Sequence, residues 1–213
     1  FPYTTLFRSH GSATEAVHHI PLIIKVPGVT KPGSVYDGFV YNVDVIATIT
    51  ELVGLDVPSG WDGKSFLPAL RGEPFEGRDH LVLDHALYVC QRAVRDKKWY
   101  FIRTYHTGLY DFDEVMLYDM ENDPYQTTNV ADRHPEVLRE MDYRLNQWLQ
   151  ENMRKPGFRY DPMQKVIESG PWRYLTVSDW VKRLCREGWT DAARRLEEKY
   201  AGLSVKSDFV EII

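Results

Sequence analysis

Hydrophobic and polar positions follow two periods in the first third of the chain. Residues 20–26 form a compact apolar run, interrupted by Lys25, that ends at a Pro-Gly pair. Such a run is typical of a strand buried inside an α/β sheet. Apolar residues then recur at helical spacing over 43–53, with Asp44 near the start, and predict a helix whose first turn Asp44 stabilises. Strand, loop and helix in this order make half of an α/β repeat.

Short strands dominate the middle of the chain. Residues 56–80 are dense in Gly, Pro and Trp, which indicates an irregular surface crossing. Beyond them lie segments rich in β-branched and aromatic residues, divided by polar turns, which together predict an antiparallel sheet. These segments are 80–86, 88–96, 98–106 and 114–120.

Helical patterns return after the predicted sheet. Residues 135–153 place their apolar side chains on one face, so we expect one amphipathic helix to cover the sheet. Residues 154–177 contain several Pro and Gly and are predicted to form a loop. Residues 178–200 predict two helices that are broken at Gly188 and Trp189.

Composition narrows the classes of function. The 213 residues carry 26 basic and 31 acidic side chains, a net charge of -5, which argues against a general nucleic-acid binder. Apolar runs are shorter than the roughly 20 residues that span a bilayer, so no membrane role is predicted. Cys90 and Cys185 are too few for a disulfide framework or a zinc site and are interpreted as ordinary thiols.

The first nine residues are interpreted as an artefact. FPYTTLFRS, residues 1–9, matches in full the translation of the end of a common sequencing adapter. A signal peptide would need a longer apolar run and a small-residue cleavage site. We therefore take His10 as the first native residue and expect the chain to be a fragment that lacks its own N-terminal portion.

Three segments resemble the C-terminal part of type I sulfatases, in the alkaline-phosphatase-like superfamily. They are HGSATEAVHHIPLIIKVPG at 10–28, VDVIATITELVGLDVPSGWDGKSFLPALRG at 43–72 and LYDMENDPYQTTNVA at 117–131. The resemblance implies an α/β fold: the end of the α/β catalytic domain over 10–72, then a smaller subdomain over 73–153 in which a short antiparallel sheet packs on a helix. Residues 154–213 are expected to form a helical extension.

The resemblance also implies site residues. Counted back from Glu15, His10 stands where the family carries the Lys or His that contacts the sulfate group. An imidazolium can stabilise negative charge on sulfate oxygens or donate a proton to the leaving oxygen. His85 and Arg92 lie in strands whose family counterparts can border the substrate pocket, where a cation suits an anionic substrate. His18 and His19 are interpreted as structural.

The main parts of the implied mechanism are missing from this sequence. Enzymes of this family use a formylglycine, made from Cys or Ser in a Cys/Ser-x-Pro/Ala-x-Arg motif, and a divalent cation, usually calcium. Neither Cys90 nor Cys185 lies in that motif, and Ser9-His10-Gly11 is not the metal-binding Asp-His-Gly run. We therefore expect no metal ligands in this fragment, and we expect the fragment to be inactive alone.

Three functions stay open on these grounds. The leading hypothesis is part of a sulfatase acting on sulfate esters of a sulfated carbohydrate or an aryl sulfate, so the expected partner is a sulfated small molecule or glycan. A phosphodiester or phosphonate monoester hydrolase of the same superfamily shares the framework. A non-catalytic binding module, in which the first nine residues are genuine, is the third.

Overall fold

The computed structural model describes residues 11–171 and 177–201. The predicted artefact and His10 lie outside these residues. The described residues form helices, four strands and one 3-10 turn at Ala131–Arg133. In chain order the elements are α1 Glu15–His18, α2 Asn42–Leu52, α3 Leu67–Arg71, β1 His80–His85, β2 Cys90–Asp96, β3 Trp99–His106, β4 Val115–Asp119, α4 Pro135–Met153, α5 Pro162–Ser169, α6 Val177–Arg186 and α7 Thr190–Tyr200.

The four strands form one sheet in the order β1-β2-β3-β4, as predicted. Strands β3 and β4 pair antiparallel, with Trp99 opposite Asp119 and Arg103 opposite Val115. Two residues join β2 to β3, a link that only antiparallel neighbours allow. The predicted mixed α/β class and the antiparallel sheet are therefore confirmed.

Both faces of the sheet are buried. Strand β3 shows this most clearly, since Tyr100, Phe101 and Ile102 are all fully buried although successive side chains point to opposite faces. One face packs against the apolar stripe of α4, which confirms the predicted covering helix; its residues include Val82, Val94, Phe101, Leu117, Met141 and Leu145. The other face packs around Ala13, with Leu83, Ala93, Tyr100, Ile102, Met116 and Tyr118.

Hydrogen bonds hold the segment around Ala13 on its face of the sheet. The Tyr100 hydroxyl donates to the Ala13 carbonyl at 2.7 Å, and the Ala13 amide donates to Gln91 Oε1 at 2.9 Å. Gln91 Nε2 in turn donates to Thr104 Oγ1 at 3.0 Å. These buried polar groups are thus satisfied between the strands and the segment, which ties residues 12–14 to β2 and β3.

The chain divides into two compact units. The first unit comprises Phe1–His18, Val82–Val94 and Trp99–Ile213, and the second comprises His19–Leu81 and Arg95–Lys98. The division predicted at residues 72 and 153 is a different kind of boundary, based on family resemblance, and stays a prediction.

The prediction of a strand at residues 20–26 is wrong. These residues have no regular secondary structure, and the side chain of Ile23 is 94% exposed. A strand buried on both faces needs neighbouring strands to accept its hydrogen bonds. Within the described part of the chain no strand pairs with this run, so the apolar pattern has no sheet to join.

Helix α2 forms where it is predicted, but it buries the opposite face from the one that the apolar pattern suggests. Asp44, Ala47 and Thr48 are its buried residues, whereas Ile46 and Ile49 are about half exposed. The second unit therefore carries an exposed apolar stripe on α2 in addition to the exposed run at 20–26.

The loop predicted over residues 154–177 contains a helix, so that prediction is wrong in part. Helix α5 begins after Asp161, whose side chain accepts a hydrogen bond from the amide of Met163, and Pro162 occupies its first position. An N-cap followed by proline is a helix start signal. The helix α3 also lies within the segment predicted to be irregular, with Phe66 and Leu67 buried.

Asp44 is the centre of the polar core of the second unit. Its carboxylate accepts two hydrogen bonds from the Arg78 guanidinium, at 2.5 and 3.1 Å, and one each from the Lys64 and Tyr41 amides, at 2.7 and 2.8 Å. Burial alone raises the pKa of Asp44, but these donors outweigh it and hold the pKa below its ordinary value. Asp44 thus joins α2 to two distant loop segments, more than the helix-end role predicted for it.

We predict that Asp44→Asn lowers the free energy of unfolding at neutral pH by about 3 kcal/mol, because it leaves Arg78 without its carboxylate. In the wild type, the depressed pKa makes this stabilisation present above the unfolded pKa near about 4 and lost as the pH falls through the folded pKa. The Asn variant should lack that acid-dependent loss. Urea unfolding, followed by circular dichroism at neutral pH and at acidic pH, measures the free energy of unfolding of both proteins.

The exposed Asp56 provides the matched control. Asp56→Asn should change the free energy of unfolding by less than about 0.5 kcal/mol. If both variants lose the same stability, the Asp44 network does not hold the second unit together.

Candidate functional site

The chain that leads to His10 has a defined position on the sheet, although His10 itself lies outside the described residues. Ser12 and Ala13 are buried, and Ser12 Oγ lies 3.0 Å from Thr14 Oγ1. The amide of Glu15 donates to Gln126 Oε1 at 2.8 Å. Residues 12–15 are thus held by hydrogen bonds to β2, β3 and the loop that contains Gln126.

His85 lies at the end of β1 and is buried. Its ring meets the ring of His18 edge-on, with 6.1 Å between centroids. His18 also places Nδ1 3.2 Å from the Thr14 carbonyl and Nε2 3.3 Å from the Asp84 carbonyl. His85 is therefore on the same face of the sheet as residues 12–18.

Arg92 lies on β2, buried between two carboxylates. Its Nε donates to Asp84 at 2.6 Å, and its two terminal nitrogens donate to Asp161 at 2.6 and 2.7 Å. The guanidinium also lies over the rings of Trp148 and Tyr105, at 5.6 and 5.8 Å. Its charge is thus neutralised on two sides and sandwiched by aromatic rings.

The ion pair shifts the pKa of both partners in the direction of the charged forms. Burial lowers the pKa of Arg92, but the bonds to Asp161 and Asp84 outweigh it and raise the pKa. The hydrogen bond from Arg92 is the main cause that lowers the pKa of Asp161, against the effect of burial. Because Asp161 also caps α5, Arg92 connects β2 to the start of that helix.

The structure does not bring His85 and Arg92 together. Along a strand, alternate residues share a face, so His85 goes with Leu83, in the cluster around Ala13, and Arg92 goes with Val94, in the cluster under α4. The substrate role predicted for each residue stays a prediction. The two side chains could line one pocket only if that pocket reached both faces of the sheet.

The structure gives neither cysteine the surroundings of an activated nucleophile. Cys90 is buried in β2, and burial raises the pKa of its thiol, which disfavours the thiolate. Cys185 is exposed on α6. Among residues 11–171 and 177–201, no cluster of His, Cys, Asp or Glu side chains could hold a metal ion. The described residues therefore do not fit a divalent cation.

A cleft that sequence reasoning missed lies within the first unit. It has a volume of about 380 Å³, and its walls come from residues 12–14, from the two ends of β4 and from helices α6 and α7. Six of its 22 lining residues are aromatic, among them Tyr110, Tyr125, Trp180 and Trp189. Such a volume is within the range of small-molecule sites. The sequence gives little indication of this cleft, since residues 121–128, which contribute to its lining, have the composition of an ordinary turn.

No helix within the described ranges is both long enough and apolar enough to cross a membrane.

Residues 12–154 match the family "N-sulphoglucosamine sulphohydrolase, C-terminal". The match ends close to the boundary where the helical extension was predicted to begin. It includes the sheet, helix α4 and the segment that leads to His10, whereas helices α5 to α7 lie beyond it.

Curated proteins similar to the chain include three named sulfatases. An ulvan-active sulfatase of Formosa agariphila is 28% identical, over 53% of this chain and 28% of its own length. An N-acetylglucosamine-6-O-sulfatase of Bacteroides thetaiotaomicron is 33% identical, over 54% and 22%. Human arylsulfatase K is 28% identical, over 63% and 26%. The match thus covers about a quarter of the length of each of these relatives.

Two solved structures share the fold. One is a complex of a protein with its substrate D-glucosamine-2-N,6-O-disulfate, with a TM-score of 0.56, 23% identity and coverage of 65% of this chain and 30% of the other. The second is a phosphonate monoester hydrolase from Silicibacter pomeroyi, with a TM-score of 0.52, 24% identity and coverage of 71% and 35%. At these identities the likeness concerns the fold alone.

The contacts of Arg92 generate a prediction about stability. In a double-mutant cycle of Arg92→Ala and Asp161→Ala, we expect a coupling of about 2 kcal/mol in the free energy of unfolding, because the pair is bidentate and largely buried. The coupling should fall as acid protonates Asp161, since the depressed pKa of Asp161 makes the stabilisation present only above that pKa. Urea unfolding of the four proteins measures it.

The exposed pair of Arg144 and Glu140 on α4 serves as the control, with a hydrogen bond of 2.6 Å one helical turn apart. Its coupling should stay below about 0.5 kcal/mol. A coupling for Arg92 and Asp161 as small as this would contradict a structural role and favour the predicted role in substrate binding.

Proposed function

The chain belongs to the N-sulphoglucosamine sulphohydrolase C-terminal family, and from this premise we propose that it is the C-terminal part of a sulfatase that hydrolyses sulfate esters. The observation that carries the proposal is the family match over residues 12–154, which takes in most of the described chain. We propose a sulfated sugar as the substrate class, because the relatives include an N-acetylglucosamine-6-O-sulfatase and an ulvan-active sulfatase.

Exposed apolar surface supports the proposal that the chain works as part of a longer protein. The run at 20–26 and the stripe on α2 are exposed in the second unit, where Ile20 and Ile23 are more than 60% exposed and Ile46 and Ile49 about half exposed. A protein surface of this kind marks an interaction site. We propose that the N-terminal part of the same enzyme covers it and supplies neighbouring strands for residues 20–26.

In this proposal, His10 contacts the sulfate group. An imidazolium at that position donates a hydrogen bond to a sulfate oxygen and stabilises the negative charge that grows as the ester bond breaks. Hydrogen bonds of Ala13 to Gln91 and Tyr100, and of Glu15 to Gln126, hold the described residues that follow it. His85, on the same face of the sheet as these residues, borders the substrate, whereas Arg92 contributes to the substrate pocket only if one of its carboxylate partners leaves.

The nucleophile and the metal belong to the proposed N-terminal part. The family in general uses a divalent metal, and we propose calcium, bound by residues outside this chain together with a formylglycine. When bound, the cation neutralises charge on the sulfate oxygens. The part of the chain that the structure describes contributes binding and orientation rather than the covalent step.

The phosphonate monoester hydrolase is the second candidate, since the Silicibacter pomeroyi enzyme shares the fold. The test begins with the source DNA upstream of the codon for His10. We expect an open reading frame with a Cys/Ser-x-Pro/Ala-x-Arg motif and an Asp-His/Asn-Gly run. The encoded longer enzyme should release sulfate from N-acetylglucosamine 6-sulfate. Preferential cleavage of a phosphonate monoester would favour the second candidate, and a start codon directly before Phe1 would favour a binding module.

In the longer enzyme, we predict that His10→Ala lowers kcat/KM for sulfate release by about a hundredfold or more, because a donor to the developing charge is lost. His19→Ala is the matched control, since His19 is exposed and lies beyond helix α1, and it should leave the rate within about twofold. Steady-state sulfate release measures both. Equal rates for the two variants would remove His10 from the site.

A further inference from the structure

The cleft in the first unit is held open by contacts between its walls. Arg195 of α7 donates to the carboxylate of Asp111, in the β3–β4 connection, at 2.6 Å. The Tyr200 hydroxyl donates to the carbonyl of Gly108. The rings of Tyr110 and Trp180 meet edge-on with 5.7 Å between centroids. The helical pair α6–α7 is therefore joined at three points to the β3–β4 connection, and the cleft is preformed.

Gln126 is the buried polar group of the cleft wall. Its side chain is 6% exposed, and Oε1 accepts the hydrogen bond from Glu15. Nε2 has no hydrogen-bond partner among the residues that the structure describes. A buried amide without a partner costs free energy, and Gln126 also has a left-handed backbone, with φ of 55°. A polar residue held in this way at the wall of a cleft is typical of a ligand site.

Aromatic side chains provide the open part of the lining. Tyr125 is 80% exposed and Trp189 is 39% exposed, and both line the cleft. Exposed aromatic rings beside hydrogen-bonding groups suit a ligand with apolar faces and polar edges. The C–H faces and hydroxyl edges of a pyranose ring have this character.

The charges of the cleft balance. Its acidic residues are Asp111, Asp113 and Glu187, and its basic residues are Arg183, Arg195 and Lys199. Arg195 is paired with Asp111, and Arg183 is paired with Glu187 at 3.0 Å. Burial lowers the pKa of Lys199, which weakens its preference for the charged form. The wall therefore offers no excess of positive charge for a sulfate group and suits an uncharged ring.

Resting on the proposed function, we propose that this cleft is a subsite for an uncharged sugar ring next to the sulfated ring of a glycan. Ser12 and Thr14 line the cleft, so the segment that directly follows His10 in the sequence forms part of its wall. The cleft binds the neighbouring sugar ring. The C–H face of that ring packs against the aromatic rings of Tyr125 and Trp189, and Gln126 Nε2 donates a hydrogen bond to it. One wall comes from α6 and α7, beyond the family match, so this subsite adds specificity that the matched domain does not supply.

The test uses the full 213-residue chain and unsulfated N,N′-diacetylchitobiose as the probe. Ligand-observed saturation-transfer NMR titration should show binding, and an excess of sodium sulfate should not displace the disaccharide. Gln126→Glu keeps an oxygen for the Glu15 amide but removes the donor, and Trp189→Ala removes an exposed ring. Each should weaken binding about tenfold, equivalent to about 1.4 kcal/mol. Trp61→Ala, an exposed Trp of the second unit, is the matched control and should bind as the wild type does.

The outcomes separate this subsite from the proposed function. Failure of the disaccharide to bind, displacement by sulfate, or equal binding by Trp189→Ala and Trp61→Ala would overturn the subsite, whatever the longer enzyme hydrolyses. Tyr125→Ala guards against a folding defect in Gln126→Glu, because Tyr125 is largely exposed, and it should weaken binding about threefold. Sulfate release by the longer enzyme is measured independently, so its absence would overturn the proposed function without removing the binding result.

Discussion

The structure depends on burying both faces of a four-stranded sheet. Strand β3 shows the constraint, because Tyr100 and Ile102 point to one face, Phe101 points to the other, and all are fully buried. A sheet of this kind needs two covers. Helix α4 is one of them, and residues around Ala13 contribute to the other through hydrogen bonds to Gln91 and Tyr100. Ser12 and Thr14, on either side of Ala13, also line the cleft, so the packing of the sheet and the position of one wall of the cleft have the same cause.

Buried ion pairs and hydrogen bonds stabilise the fold where apolar packing is incomplete. In the second unit, Asp44 binds Arg78 and two backbone amides, while the apolar side of α2 is left open. In the first unit, Arg92 joins β2 to the cap of α5 through Asp161. Both networks bury charge that is fully paired, which is the condition under which such charge is tolerated. An apolar surface left open beside a satisfied polar core is consistent with a chain that packs against a further part of its own enzyme.

The candidate site could be predicted in its chemistry but not in its arrangement. Counting from Glu15 predicts a site role for His10 through a family pattern, which stays a prediction, and the strands that contain His85 and Arg92 follow from their β-branched and aromatic residues. Their opposite faces were not predicted, because facing depends on the register of the hairpin that joins β1 and β2. The cleft was missed for a similar reason. Tyr125, Trp189 and Ser12 are far apart in sequence, and only the docking of α6 and α7 brings them together.

The sequence alone determined the elements whose pattern is local: helices α2, α4, α6 and α7, the four strands, and the family to which the chain belongs. Local periodicity suffices there because side-chain spacing in a helix or strand repeats within a few residues. The tertiary structure decided which side of each element is buried and against which surface it packs. Residues 20–26 have the composition of a buried strand but no neighbouring strand among the described residues, and α2 turns Asp44 inward and Ile46 outward. Burial is a property of the partner surface, which lies at a distance along the chain or outside it, and a local pattern carries no information about that partner.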